Sequence, residues 1–295
     1  MLDFRRAELS DKEWLTEILV KNSSGGCEYT FGNIFLWSPA YDTRIAVCNG
    51  FLVTKSNYGE PTYCFPAGNG DLKKCMNELI SDSKQCGHKA AFFGLTQKNV
   101  DELNEIFPGK FDFFEDRDFF DYVYLTKSLA ELTGKKYHAK RNHISAFERE
   151  HNWSYEEINK NNIDECASMN DEWDKQRNPD KSEELNEEHL ALKRMFENYF
   201  DLDFTGGLIR ADGKVVAFTV GERLNENTFC THFEKAYADI RGAYPIINRE
   251  FAKNSLQKYK FVNREDDVGE EGLRKAKLSY HPEYLLVKYT AVMKE

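Results

Sequence analysis

GGLIRADGKVVAFTVGERLNENTFCTHFEKAY (206–237) holds three apolar runs broken at Asp212-Gly213 and at Asn225-Glu226-Asn227. Turn residues at that spacing, between β-branched and aromatic runs, predict a three-stranded antiparallel meander. YPIINREFAKNSLQ (244–257) follows as a helix, KFVNRED (260–266) as a strand, EEGLRKAKLSY (270–280) as a helix and YLLVKYTAVM (284–293) as a final strand. Upstream, WSYEEI (153–158) reads as a strand, and NNIDECASMNDEWDKQ (161–176) and SEELNEEHLALKRMFENYF (182–200) read as helices.

The first half repeats this order. FRRAEL (4–9) reads as a strand, and SDKEWLTEILVKN opens a helix with Ser10 as cap and Glu13 as its capping-box partner. CEYTFGNIFLW (27–37) reads as a helix or turn, its Tyr29, Phe31, Asn33 and Trp37 as core packing or as a substrate lining. Residues 43–68 form hairpins turning at Asn49-Gly50 and around Tyr58-Gly59-Glu60-Pro61. Helix 71–87, strand 89–95, helix 98–107 and one or two strands in 111–125 complete the half. The shared order resembles the acetyltransferase-like fold of the GNAT superfamily in tandem. The expected class is α/β (α+β), each domain a mixed, mainly antiparallel sheet flanked by helices. The domains are expected at 1–130 and 152–295, the second catalytic, with a basic junction helix over 131–151.

The 295 residues are 41% hydrophobic, 31% charged and 14% aromatic, which excludes a disordered chain. The net charge of −10 excludes a global basic field for nucleic acid, so such contacts must be local. Seven cysteines without CxxC spacing point to neither a disulfide framework nor a zinc cage, and no metal is expected. No apolar run approaches the roughly 20 residues of a membrane span, and the N-terminus shows no signal region. The expected location is cytoplasmic, with peripheral membrane attachment as a variant.

In this fold the donor lies where two neighbouring parallel strands splay apart. The strand–helix turn beside them offers free N–H groups to an anion. Here that turn is 237–244, with Arg241, Gly242 and Ala243 as cofactor-binding candidates. The glycine-rich superfamily signature is incomplete, and Asp239 stands where a basic or amide residue would help, so a plain turn is the alternative. In THFEKAY (231–237), period two places His232 and Glu234 on one face, either one a general base. In the helix 270–280, acids lead and bases follow, as the macrodipole favours. Leu273, Ala276 and Tyr280 form one inward stripe ending in a hydroxyl. Asn263, Arg264, Glu265 and Asp266 gather at the end of the preceding strand, the edge that faces a ligand crevice in open α/β sheets. In LTGKKYHAKRNHISAFERE (132–150), Lys136, Lys140 and His143 share a stripe flanked by Lys135 and Arg141. That stripe suits lipid or tRNA phosphates, or is simply solvated.

YTFGNIFLW, LTGKKYHAKRNHISAFE, FEKAYADIRGAYPIINREFA and VNREDDVGEEGLRKAKLSYHPEYLLVKY together resemble a bacterial family grouped with the C-terminal catalytic domain of phosphatidylglycerol lysyltransferases. The resemblance covers nearly the whole chain. It implies a tandem GNAT-like fold related to Fem-type aminoacyltransferases, and transfer of an acyl or aminoacyl group. By motif position it supports Lys140, Arg141 and Asn142, and Asn263, Arg264, Glu265, Gly272, Leu273, Lys275, Lys277, Tyr280 and Lys288. Gly272 is expected to permit close helix packing, and Lys288 reads as a strand-edge residue. The membrane-embedded portion of the lipid-modifying enzymes is expected to be lacking.

The reading is an acyltransferase without a permanently bound cofactor. Acyl-coenzyme A or aminoacyl-tRNA serves as co-substrate, and a small molecule or lipid head group accepts. Tyr280 protonates the leaving group, as in GNAT enzymes, and His232 or Glu234 is the base. Lys140, Arg141, Asn142, Asn263, Arg264, Glu265, Asp266 and Lys277 line the substrate. The alternative is a non-catalytic anion- or ligand-binding module of the same fold.

Overall fold

A computed structural model describes residues 2–22, 24–57, 59–177 and 187–294. The chain begins with α1 (Lys12–Asn22), α2 (Phe31–Tyr41), β1 (Arg44–Cys48), β2 (Phe51–Ser56), β3 (Thr62–Cys64), β4 (Ala67–Gly68), α3 (Leu72–Gln85), β5 (Ala91–Leu95), α4 (Gln97–Ile106) and β6 (Phe111–Glu115). It continues through β7 (Asp121–Leu125), α5 (Thr126–Glu131), α6 (His138–Glu150), β8 (Trp153–Glu157), α7 (Ile163–Arg177) and α8 (Glu187–Asn198). It ends with β9 (Thr205–Ala211), β10 (Lys214–Arg223), β11 (Thr228–Ala236), α9 (Ala243–Asn254), β12 (Phe261–Asn263), α10 (Glu271–Leu278), β13 (Tyr284–Leu286) and β14 (Tyr289–Met293).

These elements form two compact units. The first holds residues up to Tyr122, Glu265–Arg274 and the chain from Leu285 onward; the second holds Val123–Arg264 and Lys275–Tyr284. The first unit's sheet runs β1-β2-β3-β5-β14-β6, with β4 on β2. Its opening hairpin turns at Asn49 (φ 50°) and Gly50 (φ 87°), the paired left-handed residues of a tight turn. Val53, Tyr63, Met76, Leu79, Phe92, Phe111 and Ala291 fill the core. The final strand, placed by sequence order in the second half, instead lies in this sheet between β5 and β6, antiparallel to both.

The second unit's sheet runs β12-β11-β10-β9-β8, and β12 also pairs antiparallel with Val123, Tyr124 and Leu125. The predicted meander is β9-β10-β11. β10 is buried along its length except at its ends, because both α7 and α9 pack on it. That explains its nearly unbroken apolar run rather than strict alternation. Each fully buried Val or Phe in it contributes on the order of 1.5–3 kcal/mol.

Several local expectations are corrected. FRRAEL contributes only an isolated bridge between Arg5 and Ile45. Ser10 does not cap α1: a 3-10 turn, Leu9–Asp11, precedes it, with Glu8 and Asp11 as the capping pair. The Asp11 carboxylate accepts from Arg5, Trp14 and the Glu8 N–H, so the longer side chain network wins over the serine. α10 stops at Leu278, so Tyr280 follows the helix rather than lying on it. Leu273 (41% exposed) and Ala276 face solvent, so the expected inward stripe does not form; Lys277 and Tyr280 are the buried residues. Gly272 has no atom within 4 Å of the position a Cβ would take, so it serves no close packing. Tyr58 and the first residues of the expected helix 182–200 lie outside the described residues.

Candidate functional site

In the second unit, β11 and β12 run parallel with Thr228, Phe229 and Cys230 opposite Phe261, Val262 and Asn263. The pairing then ends. β11 continues to Ala236, whereas the chain beyond Arg264 turns through Glu265 at φ 57°. A left-handed non-glycine residue there bends the backbone out of the strand. The ladder between the two strands therefore stops where a donor wedge is expected, and Arg264 reaches across to Glu234 with Nη2 2.7 Å from Oε1. Glu234 accepts a second bond, 3.1 Å, from Asn248 Nδ2 on α9.

Arg264 is the unusual member. Its Nη1 is buried and has no hydrogen-bond partner among the described residues. Its guanidinium lies 5.0 Å from the Tyr280 ring and 5.6 Å from the Tyr124 ring. Burial opposes the charge, but Glu234 outweighs it and holds the guanidinium above its ordinary range. The Arg264 carbonyl accepts from Lys277 Nζ at 2.6 Å, and Tyr124 Oη donates to the Lys277 carbonyl at 2.8 Å. Lys277 thus acts on the backbone that carries the arginine.

Above Tyr280 stands Lys140 of α6, Nζ 3.8 Å from the ring centroid. Its amine has no hydrogen-bond partner among the described residues. Burial, then repulsion from Arg264, lowers its pKa to about 8, against the pull of Glu234. Tyr280 is 4% exposed, and burial, then the Glu234 charge, pushes its phenol well up, so it keeps its proton. Tyr137 Oη donates to the Tyr280 carbonyl at 2.9 Å. The result is a buried cationic donor, a neutral phenol and an amine whose pKa is lowered to about 8. Such a set can hold an oxyanion and exchange protons with a reacting group.

Tyr280, Glu234, Arg264, Lys140 and Lys277 lie together; the other candidates do not join them. His232 is the residue skipped where β11 bulges, between the pairs Val220–Phe233 and Gly221–Thr231. The bulge breaks the period-two alternation, so His232 does not share Glu234's surroundings. Its Nε2 lies 2.9 Å from Glu222 Oε1 and its ring beside Phe204. Arg141 donates to the carbonyls of Leu132 and Gly134, closing the end of α5. Asn142 is exposed and meets His138 of the same helix. Asn263 is fully buried in the ladder. Glu265 and Asp266 fall in the first unit, whereas Asn263 and Arg264 fall in the second.

The turn before α9 does not present an open anion site. Gly242 caps the helix at φ 91°, and a Cβ there would lie 2.4 Å from the His143 carbonyl oxygen of α6. Arg241 Nε points to His143 Nδ1 at 3.5 Å, the Ala243 N–H bonds the Ile240 carbonyl, and Pro245 removes another donor. α6 therefore packs directly against this turn.

In the first unit, Lys288 is 3% exposed rather than at a strand edge. Its Nζ lies 2.7 Å from Glu28 Oε2, 2.7 Å from Asp121 Oδ1 and 3.5 Å from Cys27 Sγ. Burial opposes its charge, but Asp121, Cys27 and Glu28 hold it well above the ordinary lysine range. Cys27, Glu28 and Asp121 converge closely enough to ligate a metal ion, and the ammonium sits among them. Asp267 is a second fully buried carboxylate, bound by Arg117, Tyr122 and Arg274. Neither cluster is foreseeable from spacing, since Lys288 meets Glu28 across 260 residues and Asp267 meets Arg117 across 150.

The family described as phosphatidylglycerol lysyltransferase, C-terminal, matches residues 21–292. A conserved protein of unknown function from Bacteroides thetaiotaomicron is 42% identical, with a TM-score of 0.94 and full coverage of both chains. L-PGS from Bacillus licheniformis is 18% identical at a TM-score of 0.67, over 97% of this chain and 92% of that one. FemX is 8% identical at 0.62, over 99% and 98%. The tandem GNAT-like architecture expected from the element order is thus the fold of this protein. An uncharacterized protein of Mycoplasmoides gallisepticum is 26% identical over 180 residues, 57% of this chain; the match spans about half, 54%, of that curated relative.

Proposed function

Because the chain belongs to the family of the phosphatidylglycerol lysyltransferase C-terminal domain, we propose that its second unit transfers an aminoacyl group from tRNA to a hydroxyl or amine acceptor. The observation that carries this reading is the buried, unpartnered Nη1 of Arg264 where the β11–β12 ladder stops. A buried donor without a partner costs about 1–3 kcal/mol, and a substrate carbonyl oxygen would satisfy it. On this reading the acceptor's oxygen or nitrogen attacks the ester carbon, and its proton passes to neutral Lys140. Arg264 Nη1 donates to the developing oxyanion. The C–O bond to the tRNA ribose breaks as Tyr280 gives that oxygen its proton, and protonated Lys140 returns one to the phenolate. Glu234, occupied by Arg264 and Asn248, positions the arginine rather than acting as the base.

The occupied turn at Gly242 favours the aminoacyl donor over acyl-coenzyme A, because α6 packs directly against this turn. The exposed Lys135, Lys136 and His143 give a local basic surface for the tRNA end despite the acidic whole. A lipid head group is the acceptor class the family favours, reached by a chain in which no helix of the described residues is long and apolar enough to cross a membrane. Calorimetry with a hydrolysis-resistant 3′-aminoacylamino-adenosine tests the site. Binding to the wild type with at least about tenfold weakening in Arg264→Lys, which loses the fork of donors, is the expected result. Equal binding by both, or none by either, would remove the basis for the reading.

A further inference from the structure

Asn248 of α9 shares the Glu234 carboxylate with Arg264 and presents a second orphan atom. Arg264 Nη2 donates to Glu234 Oε1 at 2.7 Å, and Asn248 Nδ2 donates to Oε2 at 3.1 Å. A carboxylate only accepts, so the amide must turn its NH2 group toward Glu234, which fixes the side-chain carbonyl on the other arm. Asn248 is 5% exposed, and its Oδ1 is buried with no hydrogen-bond partner among the described residues. Arg264 Nη1 is in the same condition. One carboxylate thus holds a donor that lacks an acceptor and an acceptor that lacks a donor.

Each orphan opposes folding, because its hydration is lost and no bond replaces it. Packing does not call for asparagine here. Ile246, Ile247, Phe251 and Ala252 of the same helix are buried and apolar, and asparagine is a weaker helix former than alanine or leucine. A ligand that offers both an acceptor and a donor would satisfy the two atoms together. A plain acyl group offers its carbonyl oxygen alone. An α-aminoacyl group offers the same oxygen and, on the adjacent carbon, an amino group that donates whether or not it is protonated.

We propose that Asn248 Oδ1 accepts from the α-amino group of the transferred residue while Arg264 Nη1 donates to its carbonyl oxygen, so that the site selects α-aminoacyl over plain acyl donors. This inference rests on the reading of the second unit as an aminoacyl-transferring one. Asn248 makes and breaks no covalent bond in it. The residue sets specificity, and Glu234 orients both arms of the recognition. A water on Oδ1 is the rival occupant, and with it the α-amino group would not matter to binding.

The test is calorimetry of the full-length protein with two pairs of hydrolysis-resistant analogues. These are 3′-alanylamino-adenosine and 3′-lysylamino-adenosine, each beside its counterpart with hydrogen in place of the α-amino group. The wild type should bind the amino member of at least one pair about tenfold more tightly or better, the effect of one hydrogen bond to a buried acceptor. Asn248→Leu, confirmed as folded by its melting curve, should bring the two members of that pair within about twofold of each other. If the leucine variant does not fold, Asn248→Ala gives the same readout. A merely structural role would weaken both members alike and keep their ratio. Equal binding of both members by the wild type, or a ratio kept in the folded variant, would overturn the α-amino assignment and leave the transfer reading in place. A wild type that binds none of the four analogues would overturn both.

Discussion

Arg264 and Lys140 divide two tasks that one cation could not perform. Arg264 is held charged by Glu234, whereas Lys140, with no carboxylate bonded to it among the described residues, is destabilised as an ammonium by burial and by Arg264 itself. Lowering a lysine to about 8 means its neutral form grows as pH rises through that value. Transfer by the wild type should therefore climb between about pH 7 and 9, and Lys140→Met should flatten the climb. A pH–rate profile of both proteins checks this; an unchanged rise in Lys140→Met would assign the titration to another group. Lys288 plays the opposite part. It neutralises two buried carboxylates, so Lys288→Met should cost about 3–5 kcal/mol by leaving Glu28 and Asp121 unpaired, measurable by urea unfolding. A loss below about 1 kcal/mol, the range of exposed pairs, would mean that the cluster does not hold the fold.

Among the elements, the two glycines Gly242 and Gly272 make a useful contrast. Gly242 sits at φ 91° with a backbone oxygen 2.4 Å from any Cβ, while Gly272 lies in the exposed α10 with nothing within 4 Å. Gly242→Ala should lose about 1–3 kcal/mol from the strained backbone alone, whereas Gly272→Ala should be neutral or gain up to about 1 kcal/mol from helix propensity. Thermal melts of the two variants give the comparison. The sequence expects the helix from 244 and offers Gly242 as an anion-binding candidate with a plain turn as the alternative, and Gly242 is the cap of α9. The sequence misleads on Gly272 and on the Leu273–Ala276 stripe, since helical period says which residues share a face but not which face is buried. The bulge at His232 is equally silent: one extra residue in a ladder leaves no mark in composition, yet it separates His232 from Glu234.

At the scale of the whole molecule, the order of strands and helices was readable because each element carries its own pattern and turn residues. The partner of the last strand was not. β14 joins β5 and β6 across more than 170 residues of chain, and YLLVKYTAVM reads the same in either sheet. For the same reason Lys288 looks like an edge lysine until Glu28 and Asp121 are brought to it. Within the second unit, Tyr280, Arg264 and Lys140 were legible through the family resemblance, while Asn248 and Tyr124, ordinary residues of a helix and a strand, were not. The most direct measurement is a single-turnover assay. Radiolabelled aminoacyl-tRNA is mixed with the protein and with phosphatidylglycerol vesicles or soluble amine and hydroxyl compounds, and the label is followed from tRNA to acceptor. The wild type should transfer the label, and Tyr280→Phe should slow transfer by about a hundredfold or more while still binding the 3′-aminoacylamino-adenosine. Label that leaves the tRNA no faster than in the absence of protein, in a wild type that binds the analogue, would make the second unit a binding module and contradict the assignment of catalysis.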